Sequence, residues 1–144
     1  MNRLINDLEN CIKQAYQRFS DITDAEASGS AAPGTWSRKE ILGHLIDSAS
    51  NNHQRFVRAQ MTDHLMFPSY EQNDCVQIQN YKDESWIELV VFWRSYNNHL
   101  LHVLKNIPLE KLSTPCTIGD NQPIPLRTLI DEYVTHLKHH LEQI

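Results

Sequence analysis

Four separate stretches of this 144-residue chain set apolar side chains at offsets of three and four, a spacing that matches the 3.6-residue turn of a helix and not the two-residue period of a strand. The first covers residues 3–20 with Leu4, Ile5, Leu8, Cys11, Ile12, Ala15 and Phe19. The second opens at Ser37-Arg38-Lys39-Glu40, which fits a capping box: the serine oxygen accepts from the third helical amide while the glutamate reaches back to the serine amide. Its apolar positions Ile41, Leu42, Leu45, Ala49, Phe56 and Val57 carry the helix to about residue 59, and Trp36 is placed to pack back on the first turn as a staple. Asp83 is the expected cap of a third helix bearing Trp86, Ile87, Leu89, Val90, Trp93, Leu100, Leu101, Val103 and Leu104. Its first half is apolar nearly all round, so it is expected to be the most buried. Pro125 suits the first position of a fourth helix, whose apolar face is Leu126, Leu129, Ile130, Tyr133, Val134, Leu137 and Leu141.

The connections complete the expectation. Residues 21–35 are small and polar with Gly and Pro and read as a loop, residues 60–83 as a long crossover, and PCTIGDNQPIP as a turn-rich loop. Long links between the first and second helices, and between the second and third, imply a bundle with crossovers and not a series of helical hairpins. No four-to-eight-residue alternation marks a strand. The reading is an all-α four-helix bundle, one domain over residues 1–144.

Composition limits the function. The net charge is −5 and the 13 Lys and Arg are scattered, so nucleic acid and anionic membranes are not expected partners. No apolar stretch approaches the ~18 residues of a membrane span, and the opening MNRLINDLEN mixes polar and apolar residues too finely for a signal peptide; the expected location is the cytoplasm. Cys11, Cys75 and Cys116 lack CxxC or CxH spacing, so neither a disulfide framework nor a thiolate zinc site is indicated.

Histidine is the notable residue, with 8 in the chain. His136 and His140 are four apart on the last helix and share a face, as two ligands of one metal require. The spacing is that of HExxH without its glutamate, so a metalloprotease would lack its general base. His44, at the margin of the second helix's apolar stripe, makes a third imidazole available from a facing helix. His136 also shares a face with His139. His99 with His102 is a lesser alternative, and His53, nine residues beyond His44, falls on the opposite side of its helix. Three neutral imidazoles would leave a fourth position open for water or substrate. Imidazole suits zinc, nickel, iron and copper, with zinc or nickel the expected ion.

The run TWSRKEILGHLIDSASNNHQRFVRAQ resembles the DinB/YfiT-like superfamily, in which a tryptophan and a helix start precede a histidine, then an aspartate, an asparagine and an arginine. The Pro, Tyr, Trp and NNHLL pattern of residues 67–107 and the closing DEYVTHLKHHLEQI are similar to the same family, while residues 1–30 match weakly. The resemblance implies an up-down-down-up bundle, frequent homodimers, and a divalent metal held by His44, His136 and His140 with His139 pointing away. It also implies a small-molecule substrate, since relatives include transferases acting with low-molecular-weight thiols and others described only as metal-dependent hydrolases. Thiol S-transfer is the leading expectation, with hydrolysis or a non-catalytic, stress-associated dimeric bundle as alternatives.

Further site candidates follow from position. Asp47 and Asn51, three and seven residues after His44, are either supports of the metal site and its substrate or a solvated charge and an interhelical hydrogen bond. Tyr133, one turn before His136, either donates to a substrate oxygen or fills the core. Arg55 is expected to form a structural ion pair with a carboxylate such as Glu132, with anion binding the lesser alternative.

Overall fold

A computed structural model describes residues 1–144. Four long helices carry the molecule: α1 (Asn2–Phe19), α3 (Arg38–Ala59), α5 (Trp86–Lys105) and α6 (Leu126–Leu141), with short helices α2 (Asp24–Ser28) and α4 (Gln72–Gln79) in the connections. None is long and apolar enough to cross a membrane. Both α1 and α3 pack on α5 and α6, so α1 and α3 lie on one diagonal of the bundle. Contacts between the helices fix their directions. Lys105 pairs with Glu9 while Trp86 meets Phe19, so α1 and α5 run antiparallel. His44 meets His140, and the stretch of α3 near Arg55 faces Leu129, so α3 and α6 are antiparallel too. Asp7 pairs with Lys138 and Arg18 donates to the Leu141 carbonyl, which aligns α1 with α6. The order is therefore up, down, down, up.

The parallel neighbours α3 and α5 are tied at their starts by a residue that the sequence reading left in a loop. Asp24, on α2, accepts from Lys39 Nζ at 3.0 Å and from the Trp86 amide at 2.9 Å. These two contacts, the amide first, hold its carboxyl below the usual carboxylate range. Thr23 and Glu26 form a capping box that makes this five-residue helix possible. So short a helix has too few positions to show a period, which is why the segment reads as loop.

The expected capping box at Ser37 and Glu40 is present, with the Ser37 amide donating to Glu40 at 2.8 Å and the Glu40 amide to Ser37 Oγ at 3.2 Å. Other boundaries differ. Asp83 lies in a 3-10 turn (Tyr81–Asp83), and Ser85 takes the cap position of α5. Pro125 sits at the cap of α6, just ahead of its first turn. The two loops expected to lack strands contribute a small sheet: β1 (Leu65–Phe67) pairs parallel with β2 (Pro115–Ile118), which pairs antiparallel with β3 (Ile124–Pro125). Strands of two to four residues are too short to display alternation. The most buried helix is α3 and not α5, because α5 leaves Ile87, Val91 and Phe92 exposed whereas α3 is covered by α5, α6, α4 and β1. Trp36 lays its ring 5.1 Å from that of His44, about one turn beyond the staple position expected of it.

Gly43 marks the closest approach to α3. A Cβ built there would overlap the Tyr81 ring, whose hydroxyl reaches Asp47 on the next turn. Alanine favours a helix over glycine by about 1 kcal/mol, but overpacking a tight contact costs about 1–3 kcal/mol. Gly43→Ala is therefore expected to destabilise the fold, and a rise in the denaturation midpoint would contradict the packing described. Loss of the cap in Ser37→Ala is expected to cost about 1 kcal/mol in the same measurement.

Candidate metal centre

Three imidazoles meet between α3 and α6. His44 is 1% exposed, and its Nε2 lies 3.0 Å from His136 Nε2. The ligand atoms of His44, His136 and His140 all lie within 4.8 Å of one another. Nitrogens bound tetrahedrally to one ion at about 2.0–2.1 Å stand about 3.3–3.4 Å apart, so small ring rotations suffice to close the set on a metal. The rings meet edge to face, at interplanar angles of 69° to 75°, and not as a stack. That arrangement turns nitrogens toward a common point. No carboxylate or thiol joins the group.

Electrostatics prepare the same set as ligands. Burial first, and then the neighbouring imidazoles, push His44 down to about 4; burial, with His140 and His139, does the same to His136. Both rings are therefore neutral at neutral pH, with one Nε2 donating to the other until an ion displaces that proton. His140 Nδ1 is 2.8 Å from Gln143 Oε1. A carbonyl oxygen only accepts, so Nδ1 is the donor there and Nε2 is the atom left to face a metal, the outer support that ligating histidines use. His44 Nδ1 is buried without a protein partner. Trp36 covers one side of the His44 ring, and the exposed His139 stands outside the group.

The other candidates take different partners. Asp47 Oδ1 accepts from Tyr81 Oη at 2.6 Å and Gln79 Nε2 at 2.8 Å, tying α3 to α4 and the 3-10 turn; burial raises its carboxyl despite these bonds. Asn51 donates to the Asp47 carbonyl of its own helix. The Tyr133 hydroxyl donates to Asn97 Oδ1 at 2.6 Å inside the bundle. The ion pair expected between Arg55 and a carboxylate is not formed: Glu132 lines the same hollow but stays out of contact. That hollow, about 170 Å³, adjoins the triad, with His136 in its wall alongside Ser48, Asn52 and Arg55 of α3. Larger hollows of about 450 and 500 Å³ lie elsewhere on the surface and contain none of the three histidines.

Some of this escaped the sequence reading. Gln143 stands three residues after His140, a spacing that could have marked it as a support. His53 meets His99 edge to face at 4.9 Å, with Tyr96 Oη 3.2 Å from its Nδ1, across the α3–α5 seam. Only tertiary packing reveals that pair, and no third ligand completes it.

Comparison with known proteins matches this architecture. A family model described as the DinB superfamily matches residues 7–144. Proteins named "Putative metal-dependent hydrolase" from Bacillus cereus (strain AH820) and Bacillus anthracis (strain A0248) are each 24% identical over 150 residues, covering 97% of this chain and 80% of theirs. Among solved structures, YfiT from Bacillus subtilis, described as a probable metal-dependent hydrolase with an unusual four-helix bundle topology, aligns with a TM-score of 0.87 at 19% identity over 99% of this chain and 82% of its own. A mycothiol-dependent maleylpyruvate isomerase aligns with a TM-score of 0.80 at 11% identity, over 99% of this chain and 59% of its own. With the model reaching from α1 to the last residue and the bundle shared along nearly the whole chain, the protein belongs to the DinB superfamily.

Proposed function

We propose that this chain is a metal-dependent enzyme in which His44, His136 and His140 hold a divalent ion, zinc or nickel, and that it transfers a low-molecular-weight thiol to a small electrophile. The convergence of three imidazoles, two of them held neutral by burial, without a fourth protein donor carries this reading. When bound, such an ion acidifies a coordinated thiol or water enough to supply its anion at neutral pH. Three uncharged ligands leave the double positive charge uncompensated, which favours an anion in the remaining position. The hollow beside His136 gives a substrate access to that side.

A cosubstrate thiol fits the rest of the chain. Burial raises the thiols of Cys11, Cys75 and Cys116 above their ordinary range, and a thiol kept protonated is a poor nucleophile. The reacting sulfur must then come from outside. The mycothiol dependence named for one structural neighbour supports this choice. Hydrolysis is the second reading, favoured by the names of the sequence relatives, with water replacing the thiol. We also propose a cytoplasmic location and, on the family resemblance, a homodimer.

Elemental analysis of tag-free protein is expected to find about one equivalent of zinc or nickel, lost in His136→Ala. A parent that stays metal-free after reconstitution would remove the enzyme reading. On the cobalt-substituted protein, a sulfur-to-metal charge-transfer band on adding a thiol supports thiol transfer; no band with any thiol, alongside ester or amide cleavage, would favour hydrolysis. The metal-free protein carries a second expectation. His44 and His136 fall from 6.5 in the unfolded chain to about 4 when folded, so the unfolded state binds more protons between those values. Stability is retained above about pH 6.5 and declines as pH falls toward 4. Thermal melts in chelator are expected to show that decline, less steep in His136→Gln; identical slopes would contradict the assignment.

A further inference from the structure

The hollow beside the triad holds an unusual cation. Arg55 is 8% exposed on α3, yet it takes part in none of the four ion pairs of the molecule. Its nearest acceptors, Asn52 Oδ1 and the Pro68 carbonyl, are each 3.5 Å away, at the limit of hydrogen bonding, and its Nε is buried with no acceptor at all. An arginine keeps its charge in proteins and offers five N–H donors in a planar fork. A buried charge left in that state is costly unless a partner arrives. The Phe67 ring lies 5.5 Å from the guanidinium carbon, and the remaining approach is through the hollow, where Ser48, Asn52 and Tyr70 add neutral polar groups.

We propose that Arg55 is the anchor for a carboxylate carried by the substrate, whose other end reacts beside His136. Planar, bidentate recognition favours a carboxylate on an arginine fork. A phosphate dianion would call for a second cation, and the only other charge lining the hollow is the carboxylate of Glu132. At about 170 Å³ the hollow is smaller than the roughly 300–1,000 Å³ of ordinary ligand pockets, which suits a small organic acid and not a peptide. Its length is set by α3. His44 and Arg55 are eleven residues apart, and the long arginine side chain leans back toward the helix N-terminus, leaving on the order of 10 Å between guanidinium and triad. The substrate class is therefore a short acid whose carboxylate is several bonds from its reacting atom. Glu132, exposed at the rim, acts as a competitor that repels or mimics the incoming anion.

Only the identity of the reacting end rests on the metal-enzyme reading; anion capture does not require the ion. The test is therefore run first on metal-free protein, following the Arg55 Nε–H resonance by NMR during titration with glutarate, its neutral diamide and inorganic phosphate. Glutarate is expected to shift that resonance saturably, and the diamide is not. Arg55→Lys is expected to weaken binding at least tenfold through loss of the fork, Arg55→Met to abolish it while the thermal midpoint is held or raised, and Glu132→Gln to tighten it. An unmoved resonance, equal glutarate affinity in Arg55→Lys, or a response to phosphate but not to glutarate would each overturn the assignment. Failure of the metal reading would appear separately, as absence of metal uptake with glutarate binding intact.

Discussion

A polar group taken out of water must find a partner or cost about 1–3 kcal/mol, and α3 buries six of them: Lys39, His44, Asp47, Ser48, Asn52 and Arg55. Most of what surrounds the helix answers that demand. Lys39 draws α2 in through Asp24, Asp47 fixes α4 and the 3-10 turn through Gln79 and Tyr81, and Asn52 turns back on the Ser48 carbonyl. Three side chains are left incompletely answered by the protein, His44 at Nδ1, Asp47 at Oδ2 and Arg55 at Nε. The first belongs to the imidazole triad and the last to the adjoining hollow, both toward α6, while Asp47 keeps its free oxygen on the side of α4 and the 3-10 turn.

What the sequence made legible was what local periodicity and spacing encode. The four long helices are visible because each repeats its apolar positions over several turns, and the Ser37 cap because its two partners are three residues apart. The histidines at 136 and 140 share a face for the same reason. Elements that depend on distant partners were hidden: α2 is a single turn stabilised by contacts to α3 and α5, and the sheet pairs strands some fifty residues apart. The expectation for α5 failed for a related reason, since an apolar residue count cannot say which side a neighbour will cover. The Arg55–Glu132 pair was a reasonable reading of two facing charges, but a guanidinium held against Phe67 and Pro68 does not reach the rim.

The site also has an internal polarity. Its triad end consists of imidazoles able to hold a cation, His44 and His136 kept neutral by burial, and its Arg55 end of a fixed positive charge. With a cation held at the triad, an anionic molecule would be drawn from both ends, while the acidic surface set by the net charge of −5 works against it from outside. Such a gradient orients a small acid more than it gathers one, because a local field inside a low-dielectric hollow is screened less than the field over open surface.

The small sheet takes on a meaning beyond its size. Through β1 it carries Phe67, with Pro68 and Tyr70 following directly, which are the groups that back and flank Arg55; through β3 it runs straight into the first turn of α6, which supplies Leu129, Glu132 and His136. The parallel pairing of Leu65–Phe67 with Cys116–Ile118 thus clamps the crossover to the hairpin. Wall and opposite wall of the hollow are parts of one rigid frame. The span from Arg55 to the triad is set by α3, and the backbone hydrogen bonds of the strands set how far apart the two walls stand on either side of it.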